Sequence, residues 1–140
     1  MLTANLFGGE NTITTTADGG ESVFAADVDG DGDIDVLSAS RYDDTIAWHE
    51  NDGSESFTPH TITTDADGAK SVFAADVDGD GDMDVLSASS NDDKIAWYEN
   101  DGSESFTAHT ITTDADGALS VFAADVDGDG DMDVLSASSN

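Results

Sequence analysis

The chain has 140 residues, of which 32 are acidic and 3 basic, giving a formal charge of −29 at neutral pH. A charge of that sign and size excludes nucleic acid and anionic membrane as natural partners, since both would repel it. The chain contains no cysteine, so disulfides and thiol chemistry are excluded, and no apolar run is long enough to span a bilayer, nor does a signal-peptide core follow Met1.

Taken from the N-terminus, residues 2–7 are apolar enough for a strand. Gly8-Gly9 reads as a tight hairpin. Residues 11–16 read as the strand that follows, because Thr12 and Ile13 recur as Thr61 and Ile62. Residues 27–35 then carry five aspartates in nine positions, and the stretch returns at 76–84 and 125–133, shifted by 49 residues each time. Its one change is Ile34 to Met83 and Met132. Residues 22–70 differ from 71–119 at seven of 49 positions, and residues 120–140 match 71–91 without a change. Such near-identity fits recent duplication or a designed sequence. High net charge suggests disorder by composition alone. Against that, the acids cluster at fixed loop sites while the apolar residues between them keep strand-like order.

One full unit shows the local pattern. Residues 71–76 are a short β-forming run that leads into the acidic loop, and residues 84–89 leave it with a mixture of apolar and small side chains. Asn91-Asp92-Asp93 is a turn. Residues 94–99 alternate, with Ile95 and Trp97 on one face. Asn100-Asp101-Gly102 is a hairpin signal, residues 106–113 are a fourth strand, and Asp114-Ala115-Asp116-Gly117 turns into the next unit. No segment has helical periodicity. Four antiparallel strands in a period of this length predict an all-β fold, with each unit a blade of a β-propeller. Ala74, Ala75, Ser87 and Ala88 let backbones crowd near the centre, while Trp97 and Phe106 fill the wider outer space. A β-solenoid is the alternative, but its coils repeat at shorter periods.

The expected organisation is residues 1–21 as two strands of a split blade, 22–70 and 71–119 as full blades, and 120–140 as the first half of the split blade. Three blades are too few to close a ring, since propellers have about four to eight. The favoured reading is a homodimer in which the N-terminal hairpin of one copy completes the C-terminal hairpin of another, giving six blades. A larger ring, or a piece of a longer protein, is the alternative.

Nine residues with five carboxylates do not form a compact loop unless something positive sits among them. Ca²⁺ takes six to eight hard oxygen ligands, and carboxylates at alternate loop positions supply them. Asp27, Asp29 and Asp31 stand at positions 1, 3 and 5, Gly32 at position 6 allows a sharp turn, Asp33 at position 7 offers its backbone carbonyl, and Asp35 closes the set at position 9. The same roles fall to Asp76, Asp78, Asp80, Gly81, Asp82 and Asp84, and to Asp125, Asp127, Asp129, Gly130, Asp131 and Asp133. One Ca²⁺ per repeat, three per chain, is expected. The loop starts like an EF-hand, but position 12 is Ser38, Ser87 or Ser136 rather than glutamate, and its flanks are strands. Mg²⁺ prefers to keep its waters, and transition metals prefer nitrogen or sulfur.

Residues 73–85, Phe-Ala-Ala-Asp-Val-Asp-Gly-Asp-Gly-Asp-Met-Asp-Val, followed by Ile95-Ala96-Trp97-Tyr98-Glu99-Asn100, resemble the FG-GAP/VCBS repeat. That resemblance implies calcium-binding propeller blades of the kind found in integrin alpha chains and in bacterial surface and secreted proteins. It implies Ca²⁺ between the first two strands of each blade, and an extracellular or cell-surface location. The family includes adhesion modules, lectins and non-catalytic domains of enzymes.

Three function classes follow. A non-catalytic calcium-stabilised scaffold or interaction module, assembling with itself, is the first. A carbohydrate-binding lectin or adhesion module with a glycan or protein ligand is the second. For it, Trp48, Trp97, Tyr98 and His49 are candidates to stack on sugars, against the simpler reading that they pack between blades. An enzyme is the third and is not expected. A catalytic site needs a convergent, asymmetric constellation, whereas His60 and His109 occupy equivalent repeat positions and the metal reading already accounts for the paired carboxylates.

Overall fold

The computed structural model describes residues 11–139 and is all-β, with ten strands among them. The first unit comprises β1 (Gly20–Ala26), β2 (Asp35–Ser40), β3 (Thr45–Asn51) and β4 (Phe57–Thr63). The second comprises β5 (Ala69–Ala75), β6 (Asp84–Ser89), β7 (Lys94–Asn100) and β8 (Phe106–Thr112). A half unit follows with β9 (Ala118–Ala124) and β10 (Asp133–Ser138). Each full unit is a four-stranded antiparallel sheet in sequential order, and the half unit is a two-stranded sheet. The sheets stack through their first strands, β1 against β5 and β5 against β9.

The period-2 alternation read from the sequence sorts side chains between two stacking faces. On β7, Ala96 and Tyr98 enter the core shared with the first sheet, while Ile95 and Trp97 face the core shared with the half unit. Phe24, Phe73 and Phe122 form a ladder along the first strands, with ring centroids 4.6 and 4.5 Å apart. Ser38, Ala39 and Ser40 on β2, and their counterparts Ser87, Ala88 and Ser89 on β6, are all buried. Small side chains are thus placed where sheets approach.

Turn chemistry fixes the connections. Asp44 and Asp93 take left-handed φ values of 56° and 55°, a conformation that aspartate tolerates better than most residues. Asp44 accepts the Gly68 amide on Oδ1 and the Ala66 amide on its carbonyl, and Asp93 does the same for Gly117 and Ala115. Each turn therefore anchors the chain as it crosses to the next sheet. The Asn100-Asp101-Gly102 signal marks a longer turn than a two-residue hairpin: Asp101 Oδ1 caps the amides of Ser103 and Ser105 before β8 begins. Trp48 stacks on His60 at 4.5 Å and Trp97 on His109 at 4.6 Å, and each histidine pairs with a glutamate on the neighbouring strand, Glu50 or Glu99.

The ends depart from expectation. Residues 11–16 are not in a strand, and the strand expected at 2–7 with its Gly8-Gly9 turn lies outside the described residues. A fourth strand hydrogen-bonds only to the third strand of its own blade, and no such neighbour is present for 11–16 among the described residues. The segment nevertheless enters the first sheet as residues 60–68 enter the second. Tyr42 donates its amide to the Asp18 carbonyl as Asn91 does to Asp67, and Arg41 donates to Gly19 as Ser90 does to Gly68.

Thr14, Thr16 and Ala17 border a pocket on the outer face of the first sheet with His49, which is buried. His49 Nε2 lies 3.0 Å from Ser38 Oγ; at the equivalent position Tyr98 places its hydroxyl 3.2 Å from Ser87 Oγ. Burial holds the His49 imidazole below its usual value, with His60 adding a smaller push in the same direction. As pH falls through about 6.5, the unfolded chain takes up this proton first. Stability is lost over that range, and the loss levels off below the depressed folded value. His49→Tyr, which copies the next repeat, is expected to shrink the fall in melting temperature between pH 7.5 and 5.5. Equal falls in variant and parent would count against this assignment.

Candidate metal centre

Each acidic loop joins the first two strands of its sheet, and its last aspartate is the first residue of the second strand. That placement makes Asp35 and Asp84 fully buried, while Asp133, in the half unit, is exposed. The loop closes on itself through its own carboxylates. Asp27 Oδ2 accepts the Gly32 amide at 3.1 Å, Asp29 Oδ1 the Asp31 amide at 3.1 Å, and Asp35 Oδ2 the Val28 amide at 3.0 Å. The second and third loops repeat these bonds at Asp76, Asp78 and Asp84 and at Asp125, Asp127 and Asp133. Gly32, Gly81 and Gly130 adopt φ values of 98°, 102° and 101°, where a side chain is strained, so glycine at position 6 is required.

This folding brings three carboxylates together per loop. One oxygen each from Asp27, Asp29 and Asp35 lies within 4.8 Å of the others, and likewise for Asp76, Asp78, Asp84 and for Asp125, Asp127, Asp133. Oxygens bound to one Ca²⁺ at about 2.3 to 2.6 Å can be at most about 4.6 to 5.2 Å apart, so the spacing fits a common ion. Asp31 stays outside the gathered trio, with its Oδ1 accepting the Asp33 amide at 2.8 Å; Asp80 and Asp129 behave alike. The Asp33 carboxylate packs where a Cβ on Gly53 would stand, and Asp82 does so at Gly102. Asp131 borders the cleft at the following loop.

The electrostatics favour a cation. Asp27 Oδ1 is buried without a hydrogen-bond partner, a costly state for an anionic oxygen that an ion within the trio would relieve. Burial pushes the Asp84 carboxyl up, partly offset by the amides of Asn100 and Val77, and Asp78 adds repulsion. Asp29 is likewise raised, first by burial and then by Asp35, Asp31 and Asp27, against the opposing Asp31 amide. The all-oxygen donor set suits a hard cation.

Two residues of the site were not singled out as such by the sequence, where Asn100 stood in a hairpin signal and in the repeat motif. Asn51 and Asn100 end the third strands and donate their amides to Asp35 Oδ1 at 2.7 Å and Asp84 Oδ1 at 2.8 Å. Their carboxamides hold the same loops, through Ile34 O and Met83 O. The half unit has no third strand among the described residues, which is why Asp133 lacks this clamp.

The sugar-stacking candidates are otherwise engaged. Trp48, Tyr98 and His49 are buried, and Trp97 is half-buried against His109. The space near the acidic loops is instead a cleft of about 230 Å³ between consecutive units, bordered by Asp27, Asp29, Asp82, Asn100 and Glu104.

Four-stranded antiparallel blades, each with an acidic loop in its first hairpin, define a repeat protein of propeller-like architecture. The chain belongs to the FG-GAP-like repeat family, whose pattern it matches at residues 27–87 and again at 76–136. It is similar in fold to an Agrocybe aegerita lectin whose structure was solved to show specific recognition of non-reducing terminal N-acetylglucosamine, with a TM-score of 0.58 and 22% identity. The similarity covers 81% of this chain and 32% of the lectin, so the chain spans about a third of that protein's length. No curated protein matches the chain.

Proposed function

We propose that the protein is a non-catalytic, calcium-held repeat module that assembles with a second copy of itself. The observation that carries the calcium reading is the recurrence, in all three loops, of a carboxylate trio spaced for one ion. Asp27, Asp29 and Asp35 and their equivalents would hold the ion directly. Asp31, Asp80 and Asp129, with the backbone carbonyls of Asp33, Asp82 and Asp131, would complete the shell once the loop closes on it. The ion would neutralise the loop and so couple binding to folding.

Self-assembly rests on comparing equivalent residues. Val72 and Val121 are each 4% exposed between units, whereas Val23, the same residue on the first sheet's outer face, is 74% exposed. Leu37 and Leu86 are fully buried, whereas Leu135 is 41% exposed. The two end faces are therefore the two halves of an interface that the chain already forms twice internally. Joining them head to tail between two copies would make the split blade whole and pair the outer edge of β10. Mass measurement of the native assembly with and without calcium tests both parts: two chains carrying three ions each is the expected result. A lone chain without bound ions would overturn the proposal.

A second reading, a lectin or adhesion module, draws on the fold shared with the Agrocybe aegerita lectin and on the polar cleft between consecutive loops. A glycan array separates the two: binding that disappears with Glu104→Ala favours the lectin reading.

A further inference from the structure

We propose that Asn100 couples ion binding in the first loop to ion binding in the second, so that the two sites fill together. The inference rests on the calcium reading above. Three consecutive hydrogen bonds connect the buried position-9 carboxylates of the two loops. Asp35 Oδ2 accepts the Val28 amide at 3.0 Å. The Val28 carbonyl accepts Asn100 Nδ2 at 3.2 Å. The Asn100 amide donates to Asp84 Oδ1 at 2.8 Å.

Val28 lies between Asp27 and Asp29, so its peptide groups move with any adjustment of those two carboxylates around an ion. Asn100 is 2% exposed, and its remaining polar atoms are committed within its own unit, Nδ2 also to Met83 O and Oδ1 to the Gly102 amide. It is therefore a rigid strut. An ion that settles Asp84 fixes the Asn100 backbone, which fixes the carboxamide, which fixes the peptide of Val28 in the neighbouring loop. A buried network with every member satisfied transmits such a constraint more strongly than exposed bonds do. Coupling must also be reciprocal: each ion helps the other by the same factor.

The chain carries its own control. Asn51 occupies the same repeat position and donates the same amide to Asp35, but among the described residues its Nδ2 reaches only Ile34 O, within its own unit. Asn51→Ala thus keeps the backbone amide on Asp35 and loses only the carboxamide's hold within its own unit, while Asn100→Ala keeps the amide on Asp84 and loses the matching hold on Met83 O together with the bridge to Val28 O.

Calcium titration by calorimetry on the full chain, in an Asp127→Asn background that silences the third loop, tests the proposal. Disabling the first loop with Asp29→Asn is expected to weaken binding at the second by about fivefold or more. In Asn100→Ala the second loop should become indifferent to Asp29→Asn, whereas in Asn51→Ala the dependence should persist, a double-mutant cycle that isolates the bridge. An affinity at the second loop that is the same with Asp29 or Asn at that position overturns the coupling while leaving the calcium reading intact, and this arm requires no change at Asn100. Absence of any calcium uptake by the parent chain overturns both.

Discussion

Chelating calcium from the loaded protein is expected to lower its melting temperature by about 25 to 40 °C. A site occupied at a hundred times its dissociation constant stabilises the folded state by about 2.7 kcal/mol, and three such sites by about 8 kcal/mol. For a domain of this size each kcal/mol shifts the midpoint by roughly 3 to 5 °C. The buried, unpartnered Oδ1 of Asp27 and the raised carboxyls of Asp29 and Asp84 show where the loss would fall: without the ion Asp29 is left against Asp27, Asp31 and Asp35, and Asp84 against Asp78. Calorimetric scans with and without chelator measure the effect, and overlapping scans would remove calcium from the account of stability. The exposed third trio should release its ion first, since Asp133 lacks the amide clamp that Asp35 and Asp84 receive.

Leu135→Asp is expected to reduce the assembled mass to that of a single 14.4 kDa chain. If Leu135 becomes buried on association as Leu37 and Leu86 are, losing that side chain alone costs about 1.5 to 3 kcal/mol. That is roughly a tenfold to hundredfold weakening per seam, and desolvating a carboxylate adds to it. A ring of two copies contains the seam twice. Val23→Asp should act in the same way from the other face. Mixing the two variants restores one intact seam, because the unaltered end of each meets the unaltered end of the other, so a hetero-pair should form where neither variant pairs alone. Light scattering reads both results, and a Leu135→Asp protein with unchanged mass would rule out this face as the contact.

Much of this was legible in the sequence because its signals are local. Alternation on residues 94–99 gave the two faces of β7, and aspartates at alternate positions with glycine at position 6 marked the loop and its sharp turn. What escaped was set by contacts between distant residues. Asn100 looked like a hairpin former and its counterpart Asn51 drew no notice, since nothing in Glu-Asn-Asp-Gly shows that the asparagine amide reaches a carboxylate 16 residues earlier in the chain. Asp31 shares the loop's spacing with Asp27 and Asp29, yet its carboxylate turns to the neighbouring Asp33 amide. Residues 11–16 have the composition of a strand, but a strand needs a pairing edge, and composition does not supply one.

The outward surfaces at the two ends have a consequence for how such chains change over generations. Each is a copy of a contact made inside the chain, so gaining or losing 49 residues leaves both ends chemically the same. A gene of this kind can grow or shrink by whole modules without inventing a new point of attachment, and natural variation in module number should be tolerated far better than insertion of even a few residues within one module.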